Sequence, residues 1–169
     1  MMTNDQIMTT DQSMLSQWEL NMVHDYYMTS LEENKPTTQP GFLTITIITY
    51  GSNVFIASNT YSKHSELNCW DLLESKRKKM RKNMDIFVTE VRCRMRNKKF
   101  EYSMSQPCLH CTKTFNHYAK YLASHYNSTI RFRWSTDSGN DPIITKFKDI
   151  RNIDDSTIST GWALKHNRL

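Results

Sequence analysis

The chain has 169 residues, of which 38% are apolar and 23% charged, and a net charge of +5. That length suits a single domain with one sizeable core. No run approaches the roughly 18–20 apolar residues that span a bilayer, and residues 1–11 lack the charged-then-apolar pattern of a signal peptide, so no membrane-spanning helix and an intracellular protein are expected.

In chain order, Leu15, Trp18, Met22, Tyr26 and Leu31 recur at helical spacing and predict an amphipathic helix over 12–33, with Asp11 as its cap. Its simplest use is packing against a sheet; a homodimer contact is the other. Two prolines and a glycine make 34–41 a loop. Phe42 to Tyr50 reads as a strand, Gly51-Ser52-Asn53 as a turn and Val54 to Ala57 as the strand returning. A helix is expected from His64 to about Arg81.

Met84 to Met95 alternates, with Ile86, Val88, Glu90, Arg92 and Arg94 on one side and Phe87, Thr89, Val91 and Cys93 on the other, as a long strand does. Proline is tolerated in a first helical turn, so Pro107 is taken to open a helix reaching about Ser124. Thr129 to Ser135 is a strand, Asp137-Ser138-Gly139-Asn140 a turn, and 143–150 a returning antiparallel strand in preference to a short helix. The alternation of strands and helices implies one sheet with helices on both faces.

Charge is uneven. Residues 1–62 hold one Lys and six acids, residues 63–99 hold twelve Lys/Arg and five acids, and the remainder holds nine and six. The basic excess in the middle of the chain favours an anionic, phosphate-bearing partner. Its densest run, Lys76 to Lys82, reads first as a solvated helix end, and second as a phosphate contact or a nuclear localisation signal. Arg92, Arg94 and Arg96 are expected on an exposed strand extension rather than in a groove.

The four cysteines are Cys69, Cys93, Cys108 and Cys111. Without a signal peptide a disulfide framework is not expected, and the Cys-x-x-Cys pair points to metal or redox chemistry. Cys69 and Cys93 read as buried fillers. Two short motifs carry the chemistry: His64-Ser65-Glu66, opening the helix after the hairpin, and Pro107-Cys108-Leu109-His110-Cys111, opening the helix after the long strand.

Thiolates at i and i+3 of a helical first turn share a face and can chelate one ion, and helix N-termini favour their ionised form. A histidine from a second helix N-terminus completes three ligands, and a catalytic zinc keeps the fourth position open for water. Glu66 then lies close enough to move protons without ligating. A structural zinc needs a fourth protein ligand, for which His110 is the candidate.

His-x-Glu followed by Pro-Cys-x-x-Cys resembles the signature of zinc nucleobase deaminases. Over residues of about 42–136 the sequence resembles the cytidine deaminase-like superfamily. Its stretch from Ser103 to Cys111 is most similar to little-characterised members carrying Ser-x-Pro-Cys-x-His-Cys. The resemblance implies a three-layer α/β/α sandwich with a mixed five-stranded sheet, and a single domain over 1–169 divided as 1–41, 42–136 and 137–169.

It also implies a hydrolase acting on carbon–nitrogen bonds, with Zn2+ on His64, Cys108 and Cys111 and with Glu66 catalytic. Asn59 stands where many members contact the sugar. Tyr61, which could stack on a base, and Ser65 and Pro107 join it as substrate-binding candidates. Ser65 replaces a common alanine, and neither the Gly-x-Cys-Arg-Gln continuation of free-cytidine enzymes nor the Met-Cys continuation of tRNA adenosine deaminases follows Cys108. The expected substrate is a cytosine-type base in a nucleoside, a nucleotide or a single-stranded nucleic acid. The alternative is a catalytically inactive, zinc-stabilised binding module of the same fold.

Overall fold

A computed structural model describes residues 12–34, 41–60, 62–76 and 80–153. Asp11, Tyr61 and residues 77–79 of the basic run Lys76–Lys82 therefore lie outside the described residues.

Strand β1 (Gln12–Met14) precedes helix α1 (Gln17–Asn34). Strands β2 (Leu43–Tyr50) and β3 (Asn53–Ser58) lead to α2 (Ser65–Lys76). Then come β4 (Ile86–Arg96), β5 (Lys99–Ser103), α3 (Leu109–Tyr126), β6 (Ile130–Trp134), β7 (Ile143–Thr145), β8 (Lys148–Asp149) and a 3-10 turn at Ile150–Asn152. The main sheet runs β3-β2-β4-β6-β8, with β5 pairing β4 as a sixth strand, and β1 and β7 form a separate two-stranded pair. Only β4 and β6 are parallel among these pairings, so the sheet is mixed.

The alternation expected along β4 sorts its residues onto two cores. Ile86 and Val88, with Ile48 and Trp134, pack against Cys69, Trp70 and Leu73 of α2 and Phe115, Ala119 and Leu122 of α3. Val91 and Cys93, with Ile45 and Ile47, pack against Val23 and Tyr27 of α1. Helices thus cover both faces, α1 alone on one and α2 and α3 on the other. The N-terminal helix packs on the sheet as its simplest reading requires.

Several expectations are corrected. Residues 12–14 are strand, and α1 begins only at Gln17, where Ser16 Oγ donates to Glu19 Oε1 (2.5 Å) and the Ser16 carbonyl receives the Leu20 N–H (2.9 Å). The stripe that α1 buries runs through Val23 and Tyr27, while Trp18 is 51% exposed. Helix α2 ends at Lys76. Met80 and Arg81 are not helical: Met80 enters the core, and the Arg81 N–H is held by Tyr50 Oη (2.6 Å).

The basic residues after Arg96 lie on no simple extension, since Asn97 and Lys98 both take positive φ (51° and 63°) and turn β4 back into β5. The segment 143–150 is strand in two short pieces, one antiparallel to β1 and one antiparallel to β6. Six strands, rather than five, make the main sheet.

Candidate metal centre and its cavity

Two helix N-termini meet at the carboxyl end of the parallel β4–β6 pair, the place where open α/β sheets form crevices. His64 caps α2, its carbonyl accepting the Asn68 N–H (3.1 Å), and Asn68 Nδ2 ties the first turn of α2 to the Ser58 carbonyl at the end of β3 (3.0 Å). Cys108 caps α3 with extended backbone (φ −73°, ψ 168°), and its side chain makes no capping bond, which leaves the sulfur for other use. Pro107 therefore lies one residue before the cap rather than inside the helix, and its ring keeps Gln106 from helical geometry. The loop before it is sewn to both parallel strands: Ser105 Oγ donates to the Glu90 carbonyl (2.8 Å), and the Ser105 N–H donates to the Ser135 carbonyl (3.1 Å).

This scaffold brings together three side chains 44 and 47 positions apart in the chain. His64 Nδ1 stands 3.1 Å from Cys111 Sγ and 3.4 Å from Cys108 Sγ, and the three donor atoms lie within 4.8 Å of one another. The group could hold a metal ion. A mixed set of two sulfurs and one imidazole nitrogen matches the preferences of zinc-class ions. His110 is exposed and lies outside the group, and no fourth His, Cys, Asp or Glu of the described residues joins it. Both sulfurs are buried, whereas the His64 side chain is 41% exposed.

The protons of these three side chains are unevenly divided. A hydrogen bond with Cys111, followed by one with His64, pulls the Cys108 thiol down to about 4. The bond to Cys108, then Glu66, raises His64 to about 10. Cys111, bonded to that thiolate and buried, is pushed far up and keeps its proton.

Glu66 is 2% exposed, and its Oε1 lies 3.7 Å from His64 Nδ1. Burial pushes its pKa up, but hydrogen bonds with His64, Glu90 and Cys111 outweigh burial and hold it at about 2. Its other oxygen accepts from Ser65 Oγ (3.0 Å), which is itself 2.8 Å from Thr46 Oγ1 on β2. Glu90 is its mirror case. Burial first, and the Glu66 charge second, raise Glu90 well above the carboxylate range. One carboxyl of the two is thus ionised and the other neutral.

A cavity of about 210 Å³ opens beside the cluster, walled by His64, Ser65, Glu66, Glu90, Arg92 and Cys108, with Thr44, Asn59, Met104, Ser105 and Gln106 around it. Of the residues expected from sequence, Asn59 reaches this wall, its Oδ1 held by the Thr44 N–H (3.1 Å). Ser65 lines it and also braces Glu66. Pro107 is buried and outside the wall, between two residues that line it. Tyr61 is outside the described residues. Trp134 belongs to the core.

Glu90, Arg92, Thr46 and Ser105 lie outside both sequence motifs and come to the site only through the fold. The one available signal was Glu90 itself, an acid on the buried side of an alternating strand. Arg92 lines the cavity instead of an exposed extension. Compared with known proteins, the chain matches no protein-family model, no curated sequence and no solved structure. No helix among the described residues is long and apolar enough to cross a membrane.

Proposed function

We propose that this protein is a zinc-dependent hydrolytic deaminase of a cytosine-type nucleobase, a divergent member of the cytidine deaminase-like superfamily. One observation carries the reading. Three soft and borderline donors converge within 4.8 Å, with a buried, ionised Glu66 beside them, at the wall of a cavity large enough for a base.

His64, Cys108 and Cys111 would hold the ion, which when bound activates water and polarises the site. Ser65 and Thr46 fix the Glu66 carboxylate. Glu66 would take one proton from the water as its oxygen bonds to ring carbon C4 and pass it to N3, then take the remaining proton of the C4 hydroxyl and give it to the departing amine. The C4–N bond breaks, ammonia leaves and the base retains a carbonyl. Cys108 and His64 present one side of the cluster to the cavity, while Cys111 closes the other.

The test is ammonia release by zinc-loaded protein from cytidine, dCMP, adenosine and single-stranded oligonucleotides. Release from a cytosine substrate, lost in Glu66→Ala while zinc content stays, is the expected result. No release from any of them, or release indifferent to Glu66→Ala, leaves the inactive binding module as the reading.

A further inference from the structure

Two cavity residues are not used by that chemistry. Glu90 and Arg92 are alternate residues of β4 and so point to the same face, about 7 Å apart along the strand. Their sheet neighbours on that face are Thr46 and Thr44 of β2, which also approach the site.

Glu90 is only 4% exposed, yet its Oε2 has no hydrogen-bond partner among the described residues. The carboxyl is already in hydrogen-bond contact with Glu66, and an oxygen left over in the interior is costly unless something outside the chain satisfies it. Burying an acid here does nothing for the core, since Ile86 and Val88 on the same side continue into apolar packing. Glu90 lines the cavity wall together with Glu66, so a group bound there would meet its carboxyl.

Arg92 is half-buried. Its backbone N–H is fixed by Ser135 Oγ (3.0 Å), and its guanidinium carbon sits 5.2 Å from the Phe42 ring centroid. Arg94, the next residue on that face, is committed to Glu101 (2.9 Å), whereas no carboxylate of the described residues pairs with Arg92 within salt-bridge distance. A guanidinium kept out of ion pairs, steadied by a ring and lining a pocket is suited to a phosphate.

We infer that Glu90 and Arg92 select the ligand: the Glu90 carboxyl meets a polar edge of the base, and Arg92 binds a phosphate. The favoured ligand is then a phosphate-bearing nucleotide, not a free nucleoside. The phosphate belongs either to a 5′-monophosphate or to the backbone of a single strand. The inference deepens the deaminase reading and rests on it for the nature of the base.

The test is equilibrium binding by calorimetry to zinc-loaded Glu66→Gln protein, which keeps the probes intact. The probes are deoxycytidine, dCMP and an oligonucleotide with one internal deoxycytidine. dCMP should bind about ten- to hundredfold tighter than deoxycytidine, and Arg92→Ala should collapse that ratio towards one. Arg96→Ala, at the exposed end of the same strand, should leave the ratio as it was. If the oligonucleotide keeps the Arg92-dependent gain and dCMP does not, the phosphate is that of a strand; the reverse result assigns it to a mononucleotide.

Glu90→Leu, which removes the orphaned oxygen, should melt no lower than the parent and yet bind dCMP at least about tenfold more weakly. Equal binding of all three probes, or a ratio untouched by Arg92→Ala, overturns the Arg92 assignment. Unchanged dCMP binding in both Glu90→Leu and Glu90→Gln overturns the Glu90 assignment. The deaminase reading fails separately, if the wild-type protein binds dCMP through these residues and releases no ammonia.

Discussion

Ser65 occupies a position where alanine would preserve the helix, and its hydroxyl is what distinguishes it. It joins Thr46 on the sheet to Glu66 on the helix, so the Glu66 carboxylate is held by β2 as well as by α2. If Glu66 moves protons as proposed, Ser65→Ala should keep the metal and lower turnover about tenfold, because an unbraced carboxylate spends less time in line with its proton. Steady-state rates beside metal analysis check this.

The cluster's protons make a second prediction. In the metal-free protein His64 carries a proton up to about pH 10, Cys108 loses its own at about 4, and Cys111 retains one. Taking up an ion must therefore expel the proton on His64 and the proton on Cys111, while Cys108 is already a thiolate at neutral pH. Affinity should rise with pH through the neutral range, by about a hundredfold per unit, and fall as acid returns those protons. Competition titrations with a chromophoric chelator at several pH values measure the slope; a flat profile contradicts this division of protons.

At the scale of elements, two features were illegible for identifiable reasons. The β4–β5 hairpin turns on Asn97 and Lys98, both in the left-handed region. Asn at the first turn position was a usable signal, but lysine at the second hid it, since that site favours glycine. Lys98→Gly should stabilise the protein by about 0.5–1 kcal/mol, seen as a raised denaturant midpoint.

The helical period overruns the true start of α1 because Leu15 fits that period while sitting in the core just before the helix. Glu19 then serves two purposes. It receives the Ser16 hydroxyl and pairs with Arg133 of β6, which also donates to Thr89 Oγ1 (2.9 Å). Both members are largely buried. Glu19→Ala leaves a buried guanidinium without its carboxylate and should cost about 3 kcal/mol in urea unfolding.

Across the whole molecule, two cores on opposite faces of one sheet hold the fold, and neither is built from the metal cluster. Phe115 is fully buried and meets Trp70, Tyr118 and Phe132 edge-on, at ring separations of 5.4, 5.7 and 5.0 Å. Chelation should therefore lower the melting temperature while leaving far-ultraviolet dichroism intact, in contrast to metal sites that are themselves the core.

The sequence by itself determined the periodic elements, the two-faced sorting of β4 and the candidate ligands His64, Cys108 and Cys111, because period and chelating spacing are local properties of the chain. It did not determine that Glu90 and Arg92 wall the cavity, nor that Thr46 reaches Ser65. Those depend on strand register, which pairs Thr46 with Glu90 and Thr44 with Arg92 across β2 and β4. Register is set by turns and by burial on both faces at once, so it exists only in the assembled sheet.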